Sequence, residues 1–372
     1  MAQEIVHGIA MLSEVVERLG VGRLMLVADG MFSNLPIHTY VEEIGAELVP
    51  FDNFGSNPLY EDVCKGVELF RKTGCEAILA VGGGSSIDVA KCIKLYSHRD
   101  PTKPYIEQIP MDSGVPLIAV PTTAGTGSES TRFAVIYYQG KKQSIAHPSI
   151  IPDYAILEPS VLTTLPPYQR GCTAMDALCQ GIESWWSVNS TNKSRALSRK
   201  AVEILSERII IYVKGTGDSK EDKEIAEAMM VAANYAGQAI NIAQTTAPHA
   251  FSYKLTSLYG LPHGHAVAVC LPEIWKYMLE NIGKCCVDSR GEAFLSDIFD
   301  QISRSLHCTS VSEAVTYMHS LLSSLELAYP RGKHRQEELI ALVEAVNPIR
   351  LKNSPVGLDS KAIRQIYEQI LR

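Results

Sequence analysis

An α/β domain followed by an all-helical domain is the fold class the sequence predicts, and three observations predict it. The chain has 372 residues, more than one hydrophobic core usually organises, since single cores stop growing near ~250–300 residues. Residues 1–159 alternate short aliphatic runs with helical stretches, the pattern of a parallel sheet with helices on its faces. From 160 to 372 almost every segment carries helical periodicity.

In order, Leu24 to Ala28 is an apolar strand signal ended by Asp29-Gly30, and Ala46 to Pro50 is a second. A helical stretch from Tyr60 to Thr73 leads to a third strand, Ala77 to Val81, which runs directly into Gly82-Gly83-Gly84-Ser85. Pro116 to Val120 is a fourth strand and Phe133 to Tyr138 a fifth. The helical half comprises Tyr168 to Trp186, Ser194 to Val213, Lys220 to Gln244 and Ser312 to Leu327, with breaks at Lys214 to Gly217, at Gly260-Leu261-Pro262 and at Pro330-Arg331-Gly332.

Composition removes several classes of function. With 46% hydrophobic and 20% charged residues the chain is neither disordered, collagen-like nor a coiled coil. A net charge of −7 argues against a nucleic-acid partner. No apolar run approaches the ~18 residues that cross a bilayer, so no membrane partner is expected. The start, Met1-Ala2-Gln3-Glu4, is not that of a signal peptide, and none of the nine cysteines forms a C-x-x-C pair. A reducing cytoplasm is the expected setting.

Three constellations carry chemistry. After the third strand, three glycines lead into a helix for which Ser85 is the expected N-cap, with Asp88 three residues on. Glycines let backbone approach a ligand, and the N–H groups of a new helix face a phosphate; a plain strand-to-helix turn with a capping box is the alternative. After the fourth strand, Pro121 to Glu129 brings four hydroxyls and two glycines to the carboxyl end of the sheet, where α/β proteins bind ligands. Two such loops favour a dinucleotide, one serving its phosphates and the other a ribose or the nicotinamide. In the helical half Asp176 and Gln180 are spaced i, i+4 on one helix face, and the Gly260-Pro262 break lets His249 and His263 converge. A carboxylate with two imidazoles suits iron(II) or zinc.

Taken together these segments resemble the iron-containing (group III) alcohol dehydrogenases, whose fold is shared with glycerol dehydrogenase and dehydroquinate synthase. Gly82 to Lys91 is similar to the family's GGGSxxDxAK signature, Pro121 to Glu129 to its PTTxGTGSE loop, and Pro262-His263-Gly264 to its PHG element. The resemblance covers nearly the whole chain. It implies a Rossmann-like dinucleotide-binding domain, a helical metal-binding domain and an active site in the cleft between them. It implies cofactor contacts at Asp29, Asn57, Gly83, Gly84, Ser85, Ser86, Asp88, Thr122, Thr123, Thr126, Ser128 and Lys142, and metal ligands at Asp176, Gln180, His249 and His263. A carboxylate at Asp29 would accept from a free ribose 2′-hydroxyl and repel a 2′-phosphate, which favours NADH over NADPH. A homodimer is expected.

The chain departs from the family in two places: Gln180 stands where it usually has histidine, and Tyr253 where a second histidine usually positions ligand or relays a proton. Tyr253 or His265 is therefore expected to supply the proton to the alkoxide formed by hydride transfer. Arg132, His147 and Lys254 are cations that a substrate with its own anionic group would use, and their surroundings look closest to the phosphonoacetaldehyde reductase branch of phosphonate biosynthesis. The alternatives are a short neutral aldehyde or diol, a cyclising lyase of the dehydroquinate synthase kind, and a nucleotide-binding protein without catalysis.

Overall fold

The computed structural model describes residues 3–332 and 334–371. The chain divides into two compact units, Met1–Leu165 and Pro166–Arg372.

The first unit holds strands β1 (Glu4–His7), β2 (Arg23–Ala28), β3 (Glu47–Phe51), β4 (Ala77–Gly82), β5 (Leu117–Pro121), β6 (Phe133–Tyr138), β7 (Lys141–Ala146) and β8 (Tyr154–Leu157). Its helices are α1 (Leu12–Leu19), α2 (His38–Glu42), α3 (Tyr60–Thr73) and α4 (Gly84–Tyr96). Six strands form one parallel sheet in the order β1-β8-β5-β4-β2-β3. The central strand β4 is buried at all six positions, as expected of a strand covered on both faces.

The fifth expected strand is a strand, but not of this sheet. β6 pairs antiparallel with β7 in a separate hairpin, joined by Gln139 and Gly140, both with positive φ (50° and 71°). That is the two-residue turn whose twist matches the twist of its flanking strands. The sheet is completed instead by β1 and β8, four-residue segments too short to register as periodic runs.

The second unit is helical: α5 (Pro167–Trp186), α6 (Asn192–Lys214), α7 (Ser219–Ala243), α8 (Ala247–Tyr259), α9 (His263–Cys285), α10 (Glu292–Ser305), α11 (Val311–Ser324), α12 (Arg335–Ala345), α13 (Pro348–Leu351) and α14 (Ser360–Ile370). α5 is its core element, with fifteen buried residues running from Gly171 to Trp186. Trp186, Trp275 and Phe299 pack edge-on at its C-terminal end, with Trp186 centroids 5.5 and 6.0 Å from the other two. Thr191 and Ser194 close a reciprocal capping box that starts α6. No helix among the described residues is long and apolar enough to cross a membrane.

Candidate functional site

In the first unit, both expected ligand loops leave the sheet at one level, since Gly82 of β4 is registered with Pro121 of β5 and Thr122 N–H donates to Gly82 C=O (3.0 Å). Gly82 has φ 155°, and a Cβ there would fall 2.2 Å from Ser86 Oγ, so no other residue fits. A Cβ at the same point would lie 3.9 Å from Asp29 Oδ2, which brings the Asp29 carboxylate beside the glycine turn. The loops touch: a Cβ on Gly83 would meet Thr123 at 3.7 Å, and one on Gly84 would meet Thr126 at 3.1 Å.

Helix α4 begins two residues earlier than expected, with Gly83 as its cap and no side-chain cap bond. The Ser85–Asp88 capping box does not form. Ser85 Oγ donates instead to Ser56 C=O (2.7 Å), tying the segment before Asn57 to the helix start. An uncapped first turn entered through glycine leaves helix N–H groups and the positive end of the dipole for an anion.

Asp88 departs from its expected role as a cofactor contact. Its carboxylate accepts from Ser128 Oγ (2.6 Å) and from Val135 N–H (2.9 Å), so both oxygens are turned into the protein. Ser128 and Ser86 are likewise buried, at 6% and 1% exposure. Thr122, Thr123 and Thr126 are half-buried and lie along the loop itself. Burial raises the Asp88 carboxyl above its usual range, against the pull of Lys91, its two hydrogen bonds and the exposed Lys142 of β7.

Arg132 and His147 come together at the base of the hairpin, where His147 N–H donates to Arg132 C=O (3.0 Å). The Arg132 guanidinium lies 5.3 Å from the Phe133 ring centroid. His147 Nδ1 accepts from Ser149 N–H (3.3 Å) and so caps a short 3-10 turn, leaving Nε2 as the protonated nitrogen.

In the second unit, α5 presents Asp176 and Gln180, α8 presents His249 and Tyr253, and α9 begins with His263. Gly264 permits this convergence, because a Cβ there would lie 2.0 Å from Cys172 C=O and 2.9 Å from Asp176 Cβ. Asp176 Oδ1 is 3.4 Å from His249 Nε2 and 4.0 Å from His263 Nε2. One ligand atom from each of the three residues lies within 4.8 Å of the others. Asp176 Oδ1 is buried without a hydrogen bond of good geometry. A buried carboxylate oxygen facing two imidazole nitrogens is the polarity deficit that a divalent cation fills, so these residues fit a metal ion. Gln180, 3% exposed, adds a neutral amide next to them.

Burial alone would raise the Asp176 carboxyl; His263, His249 and a hydrogen bond from Gln180 outweigh it and hold it below the usual range. Burial likewise lowers His249, yet Glu183 and Asp176 raise it to about 9. Tyr253 lies nearly parallel to the His263 ring (11°), with centroids 6.1 Å apart. Lys254 is half-buried on α8, but as the next residue it points ~100° around the helix from Tyr253.

His265 does not reach this cluster. It is 4% exposed, accepts from Tyr168 Oη on Nδ1 (2.8 Å) and donates from Nε2 to Ala328 C=O (2.9 Å). Both nitrogens are engaged away from the Asp176–His249–His263 cluster, and burial disfavours the charged form.

Sequence reasoning missed Glu183. Fully buried, it accepts from His249 Nδ1 (2.5 Å), Thr246 N–H (2.7 Å) and Thr246 Oγ1 (3.0 Å). Thr246 Oγ1 in turn accepts from Trp186 Nε1 (2.9 Å). This chain fixes the tautomer and ring plane of His249, directing Nε2 to Asp176. Asp176, Gln180 and Glu183 are i, i+4 and i+7, one polar stripe on a buried helix, and that stripe was the available signal.

The match of the two segments agrees with this geometry. The sequence pattern of the iron-containing alcohol dehydrogenases matches residues 3–159, and that of the C-terminal part of the Fe-containing alcohol dehydrogenase family matches residues 171–371. The chain belongs to this family. It is an oxidoreductase that interconverts an aldehyde and an alcohol. Among curated relatives, a choline dehydrogenase of Bacillus subtilis is 29% identical over 98% of this chain and 92% of its own length. A phosphonoacetaldehyde reductase of Streptomyces viridochromogenes is 30% identical over 80% of this chain and 76% of its own. Of solved structures, the sulfoacetaldehyde reductase of Bifidobacterium kashiwanohense in complex with NAD+ superposes with a TM-score of 0.87 at 24% identity, covering 99% of this chain and 96% of that one.

Proposed function

We propose that this enzyme uses NADH to reduce a small aldehyde carrying an anionic group, with phosphonoacetaldehyde to 2-hydroxyethylphosphonate as the reaction of choice. The observation that carries the oxidoreductase site is the buried Asp176 Oδ1 between the Nε2 atoms of His249 and His263. Asp176, His249, His263 and Gln180 would hold iron(II) or zinc, which when bound polarises the carbonyl oxygen.

The remaining work falls to the chain's own groups. Glu183 holds His249 in one tautomer, so that Nε2 stays directed at the site. The Tyr253 hydroxyl, beside His263, supplies the proton that the product alkoxide takes up. In the first unit the uncapped start of α4 and the Thr122–Thr126 loop bind the dinucleotide through backbone and hydroxyl groups, with Asn57 and Lys142 at their edge. Asp29 accepts from the ribose hydroxyls and disfavours a 2′-phosphate.

The anionic-substrate reading rests on the Arg132 cation meeting His147, whose Nε2–H is a neutral donor, at one end of the hairpin, on Lys254 as a further cation, and on the 30% identical phosphonoacetaldehyde reductase. A short neutral aldehyde is the second reading, which the Phe133 face covering Arg132 favours. NADH oxidation with a panel of aldehydes separates them: the proposal fails if propanal or butanal exceeds phosphonoacetaldehyde in kcat/KM. Arg132→Ala is expected to raise KM for phosphonoacetaldehyde by roughly tenfold or more and leave butanal unchanged. A homodimer in a reducing cytoplasm, with the cysteines as free thiols, completes the proposal; light scattering on the purified chain tests the dimer.

A further inference from the structure

We propose that Asp88 and Lys91 are positioning residues: they lock the second ligand loop onto helix α4 and so set the width of the dinucleotide cradle. The inference rests on the reading that these two loops bind the cofactor, and it concerns groups that do not touch it. Lys91 is fully buried in the first unit. Its ammonium donates to Ser128 Oγ (3.0 Å), Thr131 Oγ1 (3.1 Å) and Phe133 C=O (2.7 Å). Asp88, one turn earlier on the same helix, accepts from Ser128 Oγ (2.6 Å) and Val135 N–H (2.9 Å). The Ser128 hydroxyl is thus a bridge that gives its proton to the carboxylate and receives one from the ammonium.

What these contacts fasten matters more than their number. Residues 122–127 leave the sheet beside Gly82 and return at Ser128, and Thr126 presses against Gly84 where α4 begins. One end of the loop is fixed by the sheet register; at the other, Asp88 and Lys91 hold Ser128, and the Gln3 side chain holds the next turn through Glu129 C=O and Ser130 Oγ. A loop so pinned at both ends cannot drift from the helix N-terminus, and its hydroxyls keep one distance from the N–H groups of the first turn. An ammonium and a carboxylate are strong but costly devices in a buried setting. Their use here is intelligible if the loop must be held at a defined distance, which apolar packing specifies less sharply.

The test is NADH binding to the full-length protein, read by nicotinamide fluorescence, beside steady-state kinetics and thermal melting. Asp88→Asn is expected to weaken NADH binding by about tenfold, and Ser128→Ala by about fivefold, with kcat at saturating NADH within about twofold of wild type. Because both act through one bridge, the double variant is expected to bind within about twofold of Asp88→Asn alone. A purely stabilising role predicts a lower melting temperature with unchanged NADH affinity. The proposal is overturned if the folded Asp88→Asn protein binds NADH as wild type does, or, should that variant not fold, if Ser128→Ala does. Absence of NADH binding by the wild type would overturn the cofactor reading itself, and this inference with it.

Discussion

Replacing Glu183 by glutamine removes one charge and almost no volume, so its consequences can be worked from the hydrogen bonds alone. The carboxylate is fully buried and accepts from His249 Nδ1, from Thr246 N–H and from Thr246 Oγ1. A glutamine offers one oxygen and one NH2. If the oxygen faces Thr246 N–H, the NH2 faces His249 Nδ1, which must then accept; the ring proton moves to Nε2, the atom that points at Asp176, and blocks coordination. If the oxygen faces His249, the NH2 opposes Thr246 N–H and a buried donor is orphaned, at about 1–3 kcal/mol. With the weakening of a charge-assisted bond, the total comes to roughly 2–4 kcal/mol. For a unit of this size that lowers the melting temperature by roughly 4–16 °C. Metal affinity should fall about 10–100-fold, the usual effect of losing a ligand-orienting partner. Chelator-competition titration with zinc and melting in EDTA measure the two separately. If Glu183→Gln binds zinc within about twofold of wild type and melts within about 1 °C, the claim that this chain holds His249 is wrong.

Other expectations follow from single contacts. Gly264→Ala drives a Cβ to 2.0 Å from Cys172 C=O; since backbone must move, a loss of about 3 kcal/mol or more is expected, together with weaker zinc binding as His263 is displaced, both read by melting and titration. Gln180→His offers an imidazole in place of a neutral oxygen, and metal affinity is expected to rise about tenfold or more; unchanged metal content after anaerobic purification would mean that Gln180 is not a ligand. Burial lowers the Lys91 ammonium to about 8 from an ordinary 10.5, against the pull of Asp88 and Glu129. The unfolded chain then binds more protons between those values, so this group's contribution to stability rises with pH across that window, by up to about 3 kcal/mol. Buried cysteines and tyrosines titrate in the opposite sense there, so the quantity to measure is the unfolding free energy of wild type minus that of Lys91→Met; it should become more positive from pH 8 to 10, and a flat difference would refute the shift.

Much of the fold was legible because it is written locally. β2, β4 and β5 are continuous aliphatic runs, buried on both faces, and α5 is a long helix whose ends are marked by proline and by the serine after Trp186. β1 and β8 were not legible, since four residues carry no period. β8 takes its conformation from pairing with β1 on one side and β5 on the other, across up to about 150 residues of chain. The hairpin was missed for a different reason: Phe133 to Tyr138 reads as a strand wherever it sits, and only the Gln-Gly turn after it says that its partner follows at once.

At the site, the same division decides what could be read. Asp176, Gln180 and Glu183 form a periodic stripe, and extending the i, i+4 pair by three residues would have found the third member. His265 was a candidate proton donor beside Tyr253 because it lies two residues beyond His263 in the same motif. On a helix, though, two residues turn the side chain by ~200°, and His265 faces Tyr168 and Ala328 instead. Asp88 is the more instructive case. A carboxylate three residues into a glycine-led helix reads equally as a cap, a ligand contact or a clamp. The answer lies in Ser128 and Val135, some 40 and 47 residues further along. A signature motif therefore joins residues that meet the ligand with residues that hold those residues still. Spacing alone does not separate them, because both kinds occupy one helix turn and differ only in the face they present. The partner on that face is what separates them here: the Gly83–Gly84 backbone faces the Thr123–Thr126 loop, while Asp88 and Lys91 face the stem that carries it.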